Sequence, residues 1–208
     1  MSNSYTPEEP IAAIATALAP SALALIRISG KNCIELLSKV FSRPKALTQA
    51  EGNTIVYGWI VDSVNPDQKQ KIDEVLVSVF RAPKSYTGEE MAEISCHGGI
   101  SPVTAIFNLL LKNGFRTALP GEFTFRAFIN GKTDLTKSEA VREIIDSKTD
   151  ASRSLAAGRL SGNLYNEIQS IKEKIISTIA SIEVELEYPE DEENFSDSFD
   201  STLLLQAK

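Results

Sequence analysis

Histidine occurs once and cysteine twice in the 208 residues. Cys33 and Cys96 offer neither a disulfide framework nor a zinc-ligand spacing, and a reducing cytoplasm is the simplest setting for them. Basic residues are also in short supply. Twenty-one Lys and Arg face 28 Asp and Glu, a net charge of −7, which argues against unaided nucleic-acid binding because phosphate affinity comes from Lys and Arg clusters. No apolar run approaches the roughly 18 residues that cross a membrane. The first ten residues, Met1 to Pro10, lack both basic residues and an apolar core, so no signal peptide is expected. What remains is ordinary: 42% hydrophobic and 24% charged residues describe a soluble globular chain with room for one large or two small domains.

One stretch invites a nucleotide. Gly131-Lys132-Thr133 reproduces the end of a phosphate-binding loop, GxxxxGK[ST], but the position of the second glycine holds Arg126. The preceding residues, Gly121 to Phe128, have helical apolar spacing instead of a strand and a glycine hinge. The local reading is a turn between two helices, which leaves Lys132 to be explained otherwise.

The first half reads as mixed α/β. Ile11–Ala15, Leu23–Ser29, Thr54–Asp62, Glu74–Arg81 and Ala92–Cys96 are apolar or β-branched runs of strand length. Pro66-Asp67 separates the third from the fourth, which suggests an antiparallel pair. Ser29 is expected to cap a helix running to Phe41. Ser101, followed by Pro102, is expected to cap a second helix that ends at Asn113 before Gly114. From residue 119 the pattern turns helical. Thr136 and Glu139 have the spacing of a capping box, and Leu164, Ile168, Ile171, Ile175, Ile179, Ile182 and Leu186 form one apolar stripe expected to be core. Pro189 and the acidic run Glu190–Glu193, read as a solvated loop, should end that helix. The pattern from Ser201 to Lys208 stops without a cap, which implies either a frayed end or a chain cut inside a larger protein, and the cut is the expectation. The expected fold is α+β, with domains at 1–118 and 119–208.

Candidate chemistry is sparse. Cys96 and His97 are adjacent, but neighbours in a strand face opposite ways, so a nucleophile–base dyad is not expected. Arg27 and Glu93 lie inside apolar runs, where a lone charge is costly and wants a counter-ion or a ligand. They either pair with each other, reach the surface or meet a ligand. Nothing local to them, or to Lys132, decides among these.

Taken together, "IAAIAT", "ALIRISG", "SYTGEEMAEISCHGG", "LPGEFTFRAFINGKTDLTKSEAV" and "ASRSLAAGRLSGNL" resemble, in order and spacing, the tRNA modification GTPase family MnmE, also called TrmE. One departure is Ala19 to Ala24, where the family has a stretch rich in glycine and arginine. The resemblance implies an N-terminal domain similar to tetrahydrofolate-binding aminomethyltransferase domains, which also makes a homodimer. A helical domain follows, interrupted by a potassium-activated GTPase domain that would begin beyond Lys208. It further implies an FAD-dependent partner, MnmG, and modification of carbon 5 of the wobble uridine of tRNA with a one-carbon unit from tetrahydrofolate, in the 5-formyl or methylene form. GTP, magnesium and potassium belong to the missing GTPase domain, so no catalytic residue and no metal site is expected in these residues. The family's folate-contacting positions fall on Arg27, Glu93 and Lys132. The alternative is a folate-free dimerisation scaffold. A free-standing aminomethyltransferase-like enzyme fits poorly, because the helical half has no place in it.

Overall fold

The computed structural model describes residues 9–65 and 68–187. The Pro66-Asp67 separator, the acidic run and the C-terminal pattern therefore lie outside the described residues. Two compact units divide the chain, 1–134 and 135–208.

The first unit holds a six-stranded sheet: β1 (Ile11–Ile14), β2 (Leu23–Ser29), β3 (Thr54–Asn65), β4 (Gln68–Phe80), β5 (Met91–His97) and β6 (Arg116–Thr117). The spatial order is β3-β4-β5-β2-β1-β6. All neighbours are antiparallel except β1 and β6. Period-two alternation sorts each strand into two faces. Ala24, Ile26 and Ile28 of β2, Ala92, Ile94 and Cys96 of β5, and Val75, Val77 and Val79 of β4 are buried. They pack with Cys33, Ile34 and Leu37 of helix α1 (Cys33–Ser38) and with Val103, Ile106 and Leu110 of α3 (Ile100–Lys112). The opposite face carries Arg27, Glu93 and His97, beside Leu23, Ile55, Tyr57 and Leu76, which remain exposed. A short helix α2 (Pro44–Thr48) lies between α1 and β3, and α4 (Glu122–Ile129) follows β6.

Local capping departs from the sequence expectation at three points. Ser29 does not cap a helix, because it is the last residue of β2 and is fully buried. Gly30 follows at φ 124°, where an added Cβ would stand 2.8 Å from the Glu9 carbonyl oxygen, so no helix can continue from Ser29. α1 starts only after Asn32, itself left-handed at φ 57°, and ends at Ser38 instead of Phe41. The N-cap of α3 is Gly99, not Ser101. Its carbonyl accepts from Val103 N–H at 3.2 Å, which draws Ser101 and Pro102 into the first turn, where a missing N–H costs nothing. α3 does end as expected, with Asn113 as C-cap and Gly114 at φ 98°.

The second unit comprises α5 (Leu135–Asp146), α6 (Asp150–Leu160) and α7 (Asn163–Glu187). Thr136 and Glu139 both fall inside α5. The capping box forms instead at α6, where the Thr149 hydroxyl accepts from Ser152 N–H at 3.2 Å and the Ser152 hydroxyl accepts from Thr149 N–H at 3.4 Å. α7 has the expected length and stripe, but Ile168, Ile171, Ile175, Ile179 and Ile182 are exposed. The main neighbour of α7 is α6, and one helix cannot cover seven turns of stripe, so the stripe is not core within the described residues. The sheet followed by helices is the α+β arrangement expected, but the division comes after Asp134, beyond residue 118, because α4 is built into the first unit.

Candidate functional site

Strand register brings Arg27 and Glu93 face to face as direct Cα partners across β2 and β5. Arg27 Nε and Nη2 donate to the same carboxylate oxygen, Glu93 Oε1, at 2.9 and 2.6 Å. Both side chains are roughly three-quarters covered. Since one oxygen takes both bonds, Glu93 Oε2 and Arg27 Nη1 have no hydrogen-bond partner among the described residues. The guanidinium also stands over two rings, Tyr86 at 5.3 Å and Phe123 at 5.7 Å to the centroids, within the range of a cation–π contact. Tyr86 belongs to the loop between β4 and β5, and Phe123 to α4, so with β2 and β5 four segments meet at this ion pair.

Lys132 lies in the turn after α4, as expected, and is exposed. That turn is anchored to the same β4–β5 loop. Asn130 Nδ2 donates to the Thr87 carbonyl at 2.7 Å, and Gly88 faces the Asn130 and Lys132 side chains. All three expected site residues thus belong to the first unit. Arg27 and Glu93 are in contact. No hydrogen bond or ion pair joins Lys132 to either among the described residues, and their common neighbour, the 81–90 loop, links them.

Behind the pair runs a buried charge network that the sequence reading missed. Arg126, considered above only as a missing glycine, is fully buried and pairs with Glu89 at 3.0 Å and Glu122 at 2.9 Å, while donating to the Glu9 carbonyl at 2.9 Å. Arg116 forks onto Glu122 with bonds of 3.0 and 2.7 Å and reaches Glu9 Oε2 at 2.8 Å. Glu89 also accepts from the Ser29 hydroxyl, itself bonded to Thr87. Burial alone would raise the pKa of Glu122. The Arg116 fork, the Leu119 N–H and Arg126 outweigh it and bring the carboxyl down to about 2. The same contact with Glu122 holds the Arg116 guanidinium protonated beyond its ordinary range. Glu122 and Arg126 stand four apart on a helix, the spacing of an ion pair, and that was the available signal.

Cys96 and His97 diverge as expected. Cys96 is in the core, where burial pushes its thiol up to about 11, and burial raises Cys33 likewise. Neither is a thiolate at neutral pH. His97 is exposed and clamped by Asp73, which accepts from its backbone N–H at 2.9 Å and pairs with ring Nδ1 at 2.7 Å. The hydrogen bond that the ring donates to the Asp73 carboxylate raises the His97 pKa above 6.5. The pair therefore contributes its stabilisation below pH 6.5, and this is lost as pH rises through the higher native value. In a proton NMR titration of the His97 ring, Asp73→Asn should move the midpoint down. An unmoved midpoint would discount the ion pair. Among the described residues no cluster of His, Cys, Asp or Glu can hold a metal ion, and no helix is long and apolar enough to cross a membrane.

Residues 10–132 match the family model of the GTP-binding protein TrmE N-terminus, and residues 135–207 match the MnmE helical domain. The chain belongs to the TrmE/MnmE family. The two matches meet where the chain divides, at Asp134. Among its relatives, the tRNA modification GTPase MnmE of Treponema denticola is 54% identical over 202 residues, covering 97% of this chain and 42% of the relative. That of Borreliella burgdorferi is 46% identical over 208 residues, covering 100% of this chain and 44% of the relative. That of Treponema pallidum is 46% identical over 189 residues, covering 91% and 37%. The chain thus spans less than half the length of these relatives.

Proposed function

We propose that the first unit binds a one-carbon tetrahydrofolate, in the 5-formyl or methylene form, through Arg27, Glu93 and Lys132. It does so as the N-terminal part of a cytoplasmic tRNA modification GTPase. The observation that carries the reading is the Arg27–Glu93 pair on the open sheet face, with one carboxylate oxygen and one guanidinium nitrogen left over. A pterin presents adjacent N–H donors that a carboxylate accepts, and the folate tail carries carboxylates that Arg or Lys can pair. The family adds the rest of the proposal: a homodimer through the first unit, an FAD-dependent MnmG partner, and tRNA reached through that complex. With these the enzyme installs an aminomethyl-type group on carbon 5 of the wobble uridine. Isothermal calorimetry of the 208-residue chain with 5-formyltetrahydrofolate is the test. Saturable binding weakened by Glu93→Gln is expected, and absence of binding by the parent chain would sink the reading.

A second reading, a dimerisation scaffold that has lost folate, has two observations in its favour. Arg27 and Glu93 already satisfy each other's charge, and the departure at Ala19 to Ala24 runs into the start of β2. Under that reading the same calorimetry is silent.

GTP should not bind to these residues. Gly131 to Thr133 sit in a turn after a helix whose Arg126 is fully buried in ion pairs, so no glycine-rich cradle of N–H groups exists there. Titration with a fluorescent GTP analogue should give no saturable signal. Micromolar binding abolished by Lys132→Ala would overturn this.

A further inference from the structure

The folate reading leaves open what holds its three residues in place, since Lys132 touches neither of the other two. Both arms of the site rest on one loop. On one side Tyr86 lies under the Arg27 guanidinium, and its hydroxyl is 3.0 Å from Thr124 Oγ1 on α4. On the other, Gly88 adopts φ 78°, and a Cβ there would meet Asn130 Cβ at 3.0 Å and Lys132 Cγ at 3.2 Å. The Asn130 bond to the Thr87 carbonyl fixes the turn against the same backbone. The loop itself is held from behind: Thr87 is fully buried against Ser29, and Glu89 is locked by Arg126.

We propose that the β4–β5 loop is the positioning element of this site, with Tyr86 setting the direction of Arg27 and Gly88 setting the place of Lys132. The inference rests on the folate reading. Tyr86 offers Arg27 a ring face, which restrains the guanidinium without using the Nη1 donor that a ligand needs. Gly88 lets the lysine turn approach closely because it has no side chain and tolerates a positive φ that other residues resist. A side chain at 88 would push the turn outward and carry Lys132 with it. Neither residue needs to touch the ligand.

The experiment measures 5-formyltetrahydrofolate affinity and melting temperature on the full chain. Tyr86→Ala should weaken binding about three- to tenfold. Tyr86→Phe should restore most of that, since it keeps the ring and loses only the Thr124 bond. Gly88→Ala should weaken binding by a similar factor in the parent but add little in the Lys132→Ala background, because its effect passes through Lys132. A parent chain that binds no folate defeats the folate reading and this inference together. A parent that binds, with Tyr86→Ala and Gly88→Ala both at parental affinity, overturns the inference and leaves the reading standing. Equal losses from Gly88→Ala with and without Lys132 would also overturn it, since they indicate general loosening. Should Gly88→Ala fail to fold, the Tyr86 series decides.

Discussion

Replacing Arg126 with alanine should destabilise the first unit by roughly 3–5 kcal/mol, the usual cost of stranding a buried ion partner. The guanidinium is fully buried and binds two carboxylates and one carbonyl at once. Its loss leaves Glu122, 1% exposed, with Arg116 as its one remaining ion partner among the described residues, and frees Glu89 from α4. The Glu9 carbonyl loses a donor in the same step. In a domain of this size the melting temperature should fall by about 10–20 °C. Arg142 on α5 makes a fair control. Its pair with Asp146 is 3.5 Å long and largely solvated, so Arg142→Ala should cost less than about 1 kcal/mol. Chemical denaturation of both variants checks the contrast, and an Arg126→Ala loss no larger than that of the control would refute it. The network also predicts an acid profile. The native pKa of Glu122 is about 2, against an ordinary value of 4.5. Its contribution is therefore complete above pH 4.5 and disappears as pH falls toward 2. Glu122→Gln should flatten the stability curve within that window.

The folate-site variants should lose affinity rather than stability. Each charged hydrogen bond removed costs on the order of 1.5–3 kcal/mol, a ten- to hundredfold rise in Kd for 5-formyltetrahydrofolate. Glu93→Gln should be the most damaging, because an amide nitrogen replaces an acceptor where pterin donors arrive. The strand register adds a second effect, since the same substitution removes the counter-charge of Arg27. Lys132→Ala should leave the melting temperature within error, its side chain being exposed and unpaired among the described residues. Arg27→Ala should lower both affinity and melting temperature, because its guanidinium covers Tyr86 and Phe123 besides pairing Glu93. Calorimetry beside thermal melts separates these patterns. If all three variants bind like the parent, the charges are structural and the ligand, if any, sits elsewhere.

The sequence by itself determined the elements whose signal is local and periodic. β2 is Leu23–Ser29 as its alternation says, and α7 follows its 3.6-residue stripe. Gly114 stops α3, and the opposed side chains of Cys96 and His97 follow from strand geometry. Charges on apolar strands pointed to Arg27 and Glu93 as residues wanting a partner, and the motif order pointed to the family. The helix starts were less legible. Gly30 and Asn32 at positive φ displaced the start of α1 from Ser29, because close backbone approach and left-handed geometry are set by neighbours distant in sequence. β6 is two residues long and exists only because β1 lies beside it. Tertiary structure alone decided that Arg27 faces Glu93, since pairing across 66 residues depends on register. It alone decided that Arg126 is buried, because its neutralising carboxylates come from positions 89 and 122 and a further acceptor is the Glu9 backbone carbonyl. A buried charge is permitted only where several distant segments bring opposite charge and hydrogen bonds to one point, and no single stretch of sequence carries that information.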